Sequence, residues 1–581
     1  MHDMVIRGGT VYDGTGGAPY KADIAIDGTT ITKVGEVTDK GREEIDATGQ
    51  IVTPGFVDIH THYDGQVTWD PYLQPSTFHG VTTAVMGNCG VGFAPCKPDE
   101  RDWLIGLMEG VEDIPGTALA EGIDWRWESF PEYMNAVESS PLALDVGLQV
   151  PHGALRAYVM GKRGADLEPA NDDDIKKMSD IVVDALEAGA LGFSTSRTEK
   201  HRAKNGAHTP SFKAEAAELH GIAAAMGKTN KGVLQLIADF WDFEPEFAML
   251  RGMVEVSGRP LSLTIEQDDR HPDIWTKVLD GIADAASKGL PMRGQVPPRP
   301  TGVLLGLTST LNPFLLHKTY QEIAHLPLEV QVKELGDPDF RARLLAEEPD
   351  YPAGQIITML CTAYHKMFEL GDPPNYEPDP KDSAGGFAES EGKTPREVVL
   401  DWMLKRGGNA LLYFPLMNYG CGSLDDVRKM MTHPNVAFGL GDGGAHVGIL
   451  CDASFPSTIL THWGRDRTRG PKMPLEWLIH GQTKANAEVV GLMDRGVLAP
   501  GMKADVNVID FGNLRLHAPE IVHDLPAGGK RLIQKATGYT ATIISGEVAF
   551  RNGEPMGKLN GKLIRGGQPR PAGANIPVAA D

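Results

Sequence analysis

The sequence runs to 581 residues, 41% of them hydrophobic and 23% charged, with a formal net charge of −23. That balance describes a soluble globular chain with room for roughly two to four domains, and its acidity argues against a nucleic-acid partner or an anionic membrane surface. No run of ~18 apolar residues marks a membrane span, and five cysteines in so long a chain are too few for a disulfide framework. The opening Met1-His2-Asp3-Met4 lacks the basic and apolar regions of a signal peptide, so the expected setting is a reducing cytoplasm.

Short strands come first: Met4–Arg7, Ala22–Ile26, Ile31–Val34, and Glu44–Asp46 leading to Gln50–Thr53. Gly8-Gly9, Asp13-Gly14 and Asp27-Gly28 supply the turns between them. Their fellow strands fall at the far end of the chain, at Ala504–Ile509, Ala541–Ile544 and Val548–Arg551. A β unit split between both termini, residues 1–52 and 500–575, predicts a larger domain over 53–499 inserted within it.

That domain opens on an apolar run, Ile51 to Ile59, followed by His60-Thr61-His62. Side chains alternate along a strand, so both histidines point one way, roughly 6–7 Å apart at the backbone. Two converging imidazoles can hold a cation, and Asp58 shares their face as a candidate to orient a ligand. Strand signals follow at Val81–Met86, ending in Gly87-Asn88-Cys89-Gly90, and at Leu142–Val150, ending in Pro151-His152-Gly153. Further strands read at Ala190–Thr195, Gly232–Ala238, Leu261–Glu266, Leu290–Val296 and Val436–Leu440, which makes eight. Helical patterns at Asp172–Glu187 (capped by Asn171), Ala214–Met226 and Trp275–Lys288 separate several of them. Eight βα units predict an α/β fold, a closed (β/α)8 TIM barrel with its site at the C-terminal strand ends. The long connection over residues 300–435 predicts a lid or interface element, with Gly371 to Gly386 as a Pro/Asp/Gly-rich linker. Its apolar helices predict a homo-oligomer.

Taken in order, Pro54 to His62, Val81 to Gly90, Pro151 to Arg156, Ala190 to Thr195, Gly439 to Gly443 with His446, and Gly501 to Asp505 resemble the motifs of the amidohydrolase superfamily. Within it they resemble the D-aminoacylase (N-acyl-D-amino-acid deacylase) branch. The resemblance implies a metal-bearing barrel of amidohydrolase type with a terminal β-sandwich, and metal-assisted hydrolysis of an amide. By position it implies His60, His62 and Asp442 as metal ligands, Cys89 as a thiolate ligand, and Asp442 also as general base. The metal would be a divalent ion, zinc by first preference, with one or two per chain.

The sequence departs from that pattern on strands five and six. Each carries one histidine in the family, whereas here they read Gly232 to Asp239 and Leu261 to Asp268, with isoleucines near those positions. Three outcomes follow: a single metal on His60, His62 and Asp442; replacement ligands from Glu266, Asp239, His201 or His208; or loss of the metal. His152 is a candidate contact for the oxyanion, and His446 for substrate. Arg197, Arg270, Arg293 and Arg299 are candidate anchors for a substrate carboxylate, Arg293 chief among them, and Phe240, Trp241 and Phe243 for an acyl pocket. Cys96 reads as structural. The expected function is hydrolysis of a carbon–nitrogen bond in a small N-acyl-amino-acid-like molecule. The alternatives are a cyclic amide, lactam or ester hydrolase on the same scaffold, or a non-catalytic small-molecule-binding barrel.

Overall fold

In a computed structural model, which describes residues 1–352, 354–574 and 576, the centre of the molecule is an eight-stranded parallel sheet. Its strands are Phe56–Asp58, Val81–Met86, Asp145–Pro151, Gly192–Arg197, Val233–Ala238, Leu261–Thr264, Met292–Val296 and Val436–Phe438. Each pairs in parallel with the next in the chain. The sheet curls until its first and last strands meet. A parallel bridge joins Thr61 to Gly443, Asp442 N donates to His60 O at 3.0 Å, and His62 N donates to Gly443 O at 2.7 Å. The closure therefore places the His-Thr-His run and Asp442 side by side at the C-terminal end of the barrel.

The helix Asp172–Ala188 begins as the sequence predicts, with Asn171 and Asp174 forming a reciprocal cap and Gly189 ending it in the left-handed region. Its acidic first turn also suits the helix dipole. The stretch between the second and third barrel strands, which carried no element in the sequence reading, holds three helices, Arg101–Glu112, Gly116–Gly122 and Phe130–Glu138.

The terminal strands form one mixed sheet, in which Val506–Ile509 runs antiparallel to Ile51–Pro54. The apolar run read as a single strand, Ile51 to Ile59, is broken at Pro54-Gly55. Ile51–Pro54 belongs to the terminal sheet, and the barrel starts at Phe56. Proline has no N–H to extend a ladder, and a Cβ on Gly55 would lie 2.2 Å from the Thr82 hydroxyl. The two sheets are also tied by charge. Arg495 donates to Asp145 at 2.7 Å, and Lys503 lies 3.3 Å from the same carboxylate.

The insertion is built around its own three-stranded sheet, Gly302–Leu305, Leu412–Pro415 and Phe368–Glu369. Its core includes Phe314, Phe340, Leu344, Val399 and Phe414. Gly371 to Gly386, which its composition predicts as a flexible loop or linker, begins as a loop, but Tyr376 and Glu377 are buried in it. Glu377 takes both a bidentate contact from the buried Arg467, at 2.9 and 3.0 Å, and one from His462 at 2.9 Å. Burial works against ionisation of Glu377, but His462 and Arg467 outweigh it and hold the carboxyl down to about 2. A depressed folded pKa stabilises above the unfolded value near ~4.3, and that contribution is lost as the pH falls toward the folded value. Glu377→Gln is therefore expected to flatten the acid limb of the stability profile between about pH 4.5 and 2. An unchanged limb in urea titrations across that range would show that the pair does not bear on acid unfolding.

Candidate metal centre

His60 and His62 follow directly on the first barrel strand, and Cys89 follows the second after the Gly87-Asn88 turn. Donor atoms of all three lie within 4.8 Å of one another, and all three side chains are buried. His60 Nε2 is 3.2 Å from Cys89 Sγ. Asp442 Oδ1 completes the set, 3.4 Å from His60 Nε2 and 3.5 Å from His62 Nε2. Cys89 and Asp442 both take positive φ, 53° and 45°. That conformation is uncommon for side-chain-bearing residues, with aspartate among the more tolerant.

Both ligand imidazoles present Nε2 to the cluster and turn Nδ1 away. His60 Nδ1 lies 2.7 Å from Gln295 Oε1, and Gln295 Nε2 in turn donates to Ser262 Oγ at 2.8 Å, so the amide oxygen faces the imidazole. His62 Nδ1 lies 3.3 Å from Glu112 Oε1. Gln235 Oε1 accepts from Cys89 N at 2.8 Å and holds the thiol-bearing turn. Asp58 supports the backbone instead of a ring: its Oδ1 accepts from His60 N at 3.1 Å. A Cβ on Gly441 would lie 2.4 Å from Asp58 Oδ2, so only glycine permits that approach.

The electrostatics suit a cation. Burial opposes ionisation of Asp442, but His62 and His60 hold its carboxyl below the usual range. Burial likewise opposes the Cys89 thiolate, and the two imidazoles overcome it and lower the thiol. His60 is drawn down by burial but carried up to about 9 by Cys89 and Asp442. Two imidazole nitrogens, a thiolate and a carboxylate are a fitting donor set for zinc. The acceptor on His60 Nδ1 is the supporting contact such a ligand ordinarily has.

Other candidates stand elsewhere. Glu266 is taken up by Thr301, whose hydroxyl donates at 2.5 Å, and by Lys200 at 3.5 Å. It is no member of the cluster. Asp239 accepts from Thr198 Oγ1 and Glu199 N at 2.6 and 2.7 Å, fixing the loop after strand four. His208 stacks on Phe212, ring centroids 4.0 Å apart. His201 is nearer: its Nδ1 pairs with Ser196 Oγ at 2.9 Å, and its buried ring stands in the field of His446, His62 and Asp442. Buried Ile237 is the penultimate residue of the fifth strand, and Ile265, also buried, follows the sixth. Among the described residues, His60, His62 and Cys89 are the one group of three such donors close enough to share an ion.

His152 is not poised for an oxyanion. Nδ1 pairs with Thr195 Oγ1 at 2.8 Å and Nε2 with Glu218 Oε1 at 2.7 Å, so both ring nitrogens are committed. Glu218 is shared with Arg156 at 2.7 Å. His446, at φ 50°, stands in the field of Asp442 and His62 on the loop after strand eight.

Arg293 is the second residue of its strand and is exposed. It lies on the face of Gln295 but toward the N-terminal end, opposite the cluster. The other three arginines are engaged: Arg197 with Glu246, Arg270 with Asp268 and Glu199, and Arg299 with Asp452. Phe240 is buried, and Trp241 stacks beside His271 and Arg270, so these aromatics pack locally.

Sequence reasoning missed Gln235, Gln295 and Glu112. A signal for each is visible in retrospect. The glutamines interrupt apolar strands, and a polar residue in such a place is the informative exception. Glu112 sits one and two turns beyond Met108 and Leu104 on the apolar stripe of its helix.

Fold and donor set together define a barrel with a candidate cation site at its C-terminal mouth. The chain belongs to the amidohydrolase family, whose sequence model matches residues 43–550. An uncharacterized protein of Mycobacterium tuberculosis strain H37Rv is 28% identical over 612 aligned residues, 98% of this chain and 96% of that protein. D-aminoacylase of Alcaligenes xylosoxydans xylosoxydans is 34% identical over 195 residues, 33% of this chain and 37% of the enzyme. In overall fold the chain is similar to a crystal structure of D-aminoacylase, with TM-score 0.63, 22% identity, and 97% and 100% of the two chains covered. It is also similar to N-acyl-D-glutamate deacylase from Bordetella bronchiseptica, complexed with zinc and a phosphonate inhibitor, with TM-score 0.62, 22% identity, and 97% and 99% covered.

Proposed function

We propose that this protein hydrolyses a carbon–nitrogen bond in a small molecule with the help of one divalent metal ion, zinc by donor chemistry. The observation that carries the reading is the convergence of His60, His62 and Cys89 at the barrel mouth, with Asp442 Oδ1 3.4 and 3.5 Å from the two imidazole Nε2 atoms. His60, His62, Cys89 and Asp442 would hold the ion. When bound it supplies Lewis acidity toward a scissile carbonyl and toward water. Asp442 accepts the proton of the attacking water on a carboxylate oxygen, then returns it to the leaving nitrogen. Gln295 keeps His60 in the tautomer that leaves Nε2 free to ligate.

D-aminoacylase has a binuclear metal centre, described as activated by one metal and attenuated by a second. The single three-donor group among the described residues here, with Ile237 and Ile265 near the ends of strands five and six, supports one ion. Metal analysis of protein purified without added metal should return about one equivalent per chain. His60→Ala/His62→Ala should abolish it. Two equivalents in the wild type would require a second ligand set, and none after incubation with zinc would leave a non-catalytic barrel.

A second reading concerns the substrate. Arg197, Arg270 and Arg299 are each paired with acids, and Arg293 stands at the other end of the barrel. Among these four arginines of the described residues none stands unengaged at the mouth, which favours a cyclic amide, lactam or ester over an N-acyl amino acid. A panel comparing N-acyl-D-amino acids with cyclic amides and neutral aryl amides tests it, with faster turnover expected for the neutral compounds. A clear preference for N-acyl-D-amino acids would reverse that order.

A further inference from the structure

Glu112 ends the helix Arg101–Glu112, and its side chain is buried to 1% exposure. That is a costly place for a carboxylate. It lies at the C-terminal, electronegative end of a helix, on the stripe otherwise formed by Leu104, Leu107, Met108 and Val111. Among the described residues, no hydrogen bond of good geometry reaches either of its oxygens, nor Nδ1 of His62. An isolated buried acid and an isolated buried ring nitrogen each carry a desolvation cost. Here they face each other, with Oε1 and Nδ1 3.3 Å apart.

The backbone around Glu112 is anchored to the loop that follows the eighth strand, since Val447 N donates to Glu112 O at 3.1 Å. That loop carries Asp442. The same helix end turns out through Asp113 at φ 51°, a conformation that stops the helix and fixes where Glu112 points. The arrangement parallels the one at His60, whose Nδ1 has its acceptor in Gln295 at 2.7 Å. Each ligand imidazole thus meets one acceptor from a distant part of the chain, a neutral amide for His60 and an acid for His62.

We propose that Glu112 is the positioning residue of His62: it accepts the Nδ1 proton, fixes the tautomer whose lone pair is on Nε2, and holds the ring toward the cluster. The proposal rests on the metal-centre reading above. It assigns a role to a residue from the segment between the second and third strands, outside the histidine and aspartate motifs. Glu112 does not touch the ion or the substrate.

The test compares Glu112→Gln and Glu112→Ala with the full-length wild type, using zinc as the probe. Zinc affinity is read by competition with a chromophoric chelator, and folding by thermal melts of the metal-free proteins. Glu112→Ala should bind zinc about 10–100-fold more weakly. Glu112→Gln retains an acceptor oxygen and should recover most of that loss. In metal-free wild-type protein labelled with ¹⁵N-histidine, long-range ¹H–¹⁵N spectra should show the His62 proton on Nδ1, a preference that a merely space-filling Glu112 would not impose. That measurement decides the matter even where Glu112→Ala fails to fold. Unchanged zinc affinity in Glu112→Ala overturns the proposal alone, as does Glu112→Gln failing as badly as Ala, or His62 protonated at Nε2. A wild type that takes up no zinc overturns the metal-centre reading and the proposal with it.

Discussion

Asp442→Asn is expected to lower kcat by about 10²–10⁴-fold, the usual contribution of a positioned general base, while the protein remains folded. The side chain loses its basic oxygen but almost none of its volume. The backbone is equally served, because Asp442 sits at φ 45°, a left-handed conformation that asparagine accepts as readily as aspartate. Its N–H bond to His60 O, which helps close the barrel, does not involve the side chain. A carboxamide oxygen can still face a cation, so zinc uptake should fall far less than turnover. The two quantities, zinc per chain and kcat on the best substrate of the panel, separate ligation from proton transfer. Appreciable turnover in a folded, zinc-loaded Asp442→Asn protein would remove Asp442 from the role of base.

The parts of this molecule that were legible in the sequence are those written in short-range pattern. His60 and His62 share a face because strands alternate, and Asn171 caps its helix through Asp174 three residues on. The eight barrel strands show as apolar runs punctuated by turn residues. What was not legible depends on contacts between residues far apart in the chain. Gln295 reaches His60 across 235 positions and Gln235 reaches Cys89 across 146, and no local pattern encodes either. Glu266 and Asp239 were read as replacement ligands because they are carboxylates near strand ends. The partners that take them, Thr301 and Thr198, come from other strand-end loops. His152 misled for a similar reason, as its position after a strand end is right for catalysis but Thr195 and Glu218 occupy both nitrogens. The segment from Gly371 to Gly386 was read as a linker from its proline and aspartate content. Composition could not reveal that Arg467, 90 positions away in sequence, would bury Glu377 within it.

Arg299→Ala should cost about 3–5 kcal/mol of stability, the effect of removing one partner from a buried ion pair. The guanidinium is 2% exposed and donates to Asp452 Oδ1 and Cys451 O, both at 3.0 Å, and to Thr458 Oγ1 at 3.3 Å. It also lies over the ring of Tyr376, 3.6 Å from the centroid, in a cation–π contact. These partners join three regions: Arg299 follows the seventh strand, Tyr376 belongs to the insertion, and Cys451, Asp452 and Thr458 follow the eighth. Burial pushes the Asp452 carboxyl up to about 7, and Arg299 is the group that opposes it. Without the arginine, the chain must bury an uncompensated carboxylate or protonate it, and the insertion loses its stacked anchor. The penalty comes chiefly from the partner left behind, so Arg299→Met/Asp452→Leu should be markedly more stable than Arg299→Ala, since apolar replacement of a whole buried pair is often close to neutral. Urea unfolding of the two variants against wild type measures this. A loss within the ±0.5 kcal/mol typical of surface substitutions for Arg299→Ala would mean that the insertion is held to the barrel by its apolar contacts alone. The expected loss would make Arg299 a structural anchor for the loop that carries Asp442 and His446, in place of the substrate contact its position near the mouth first implied.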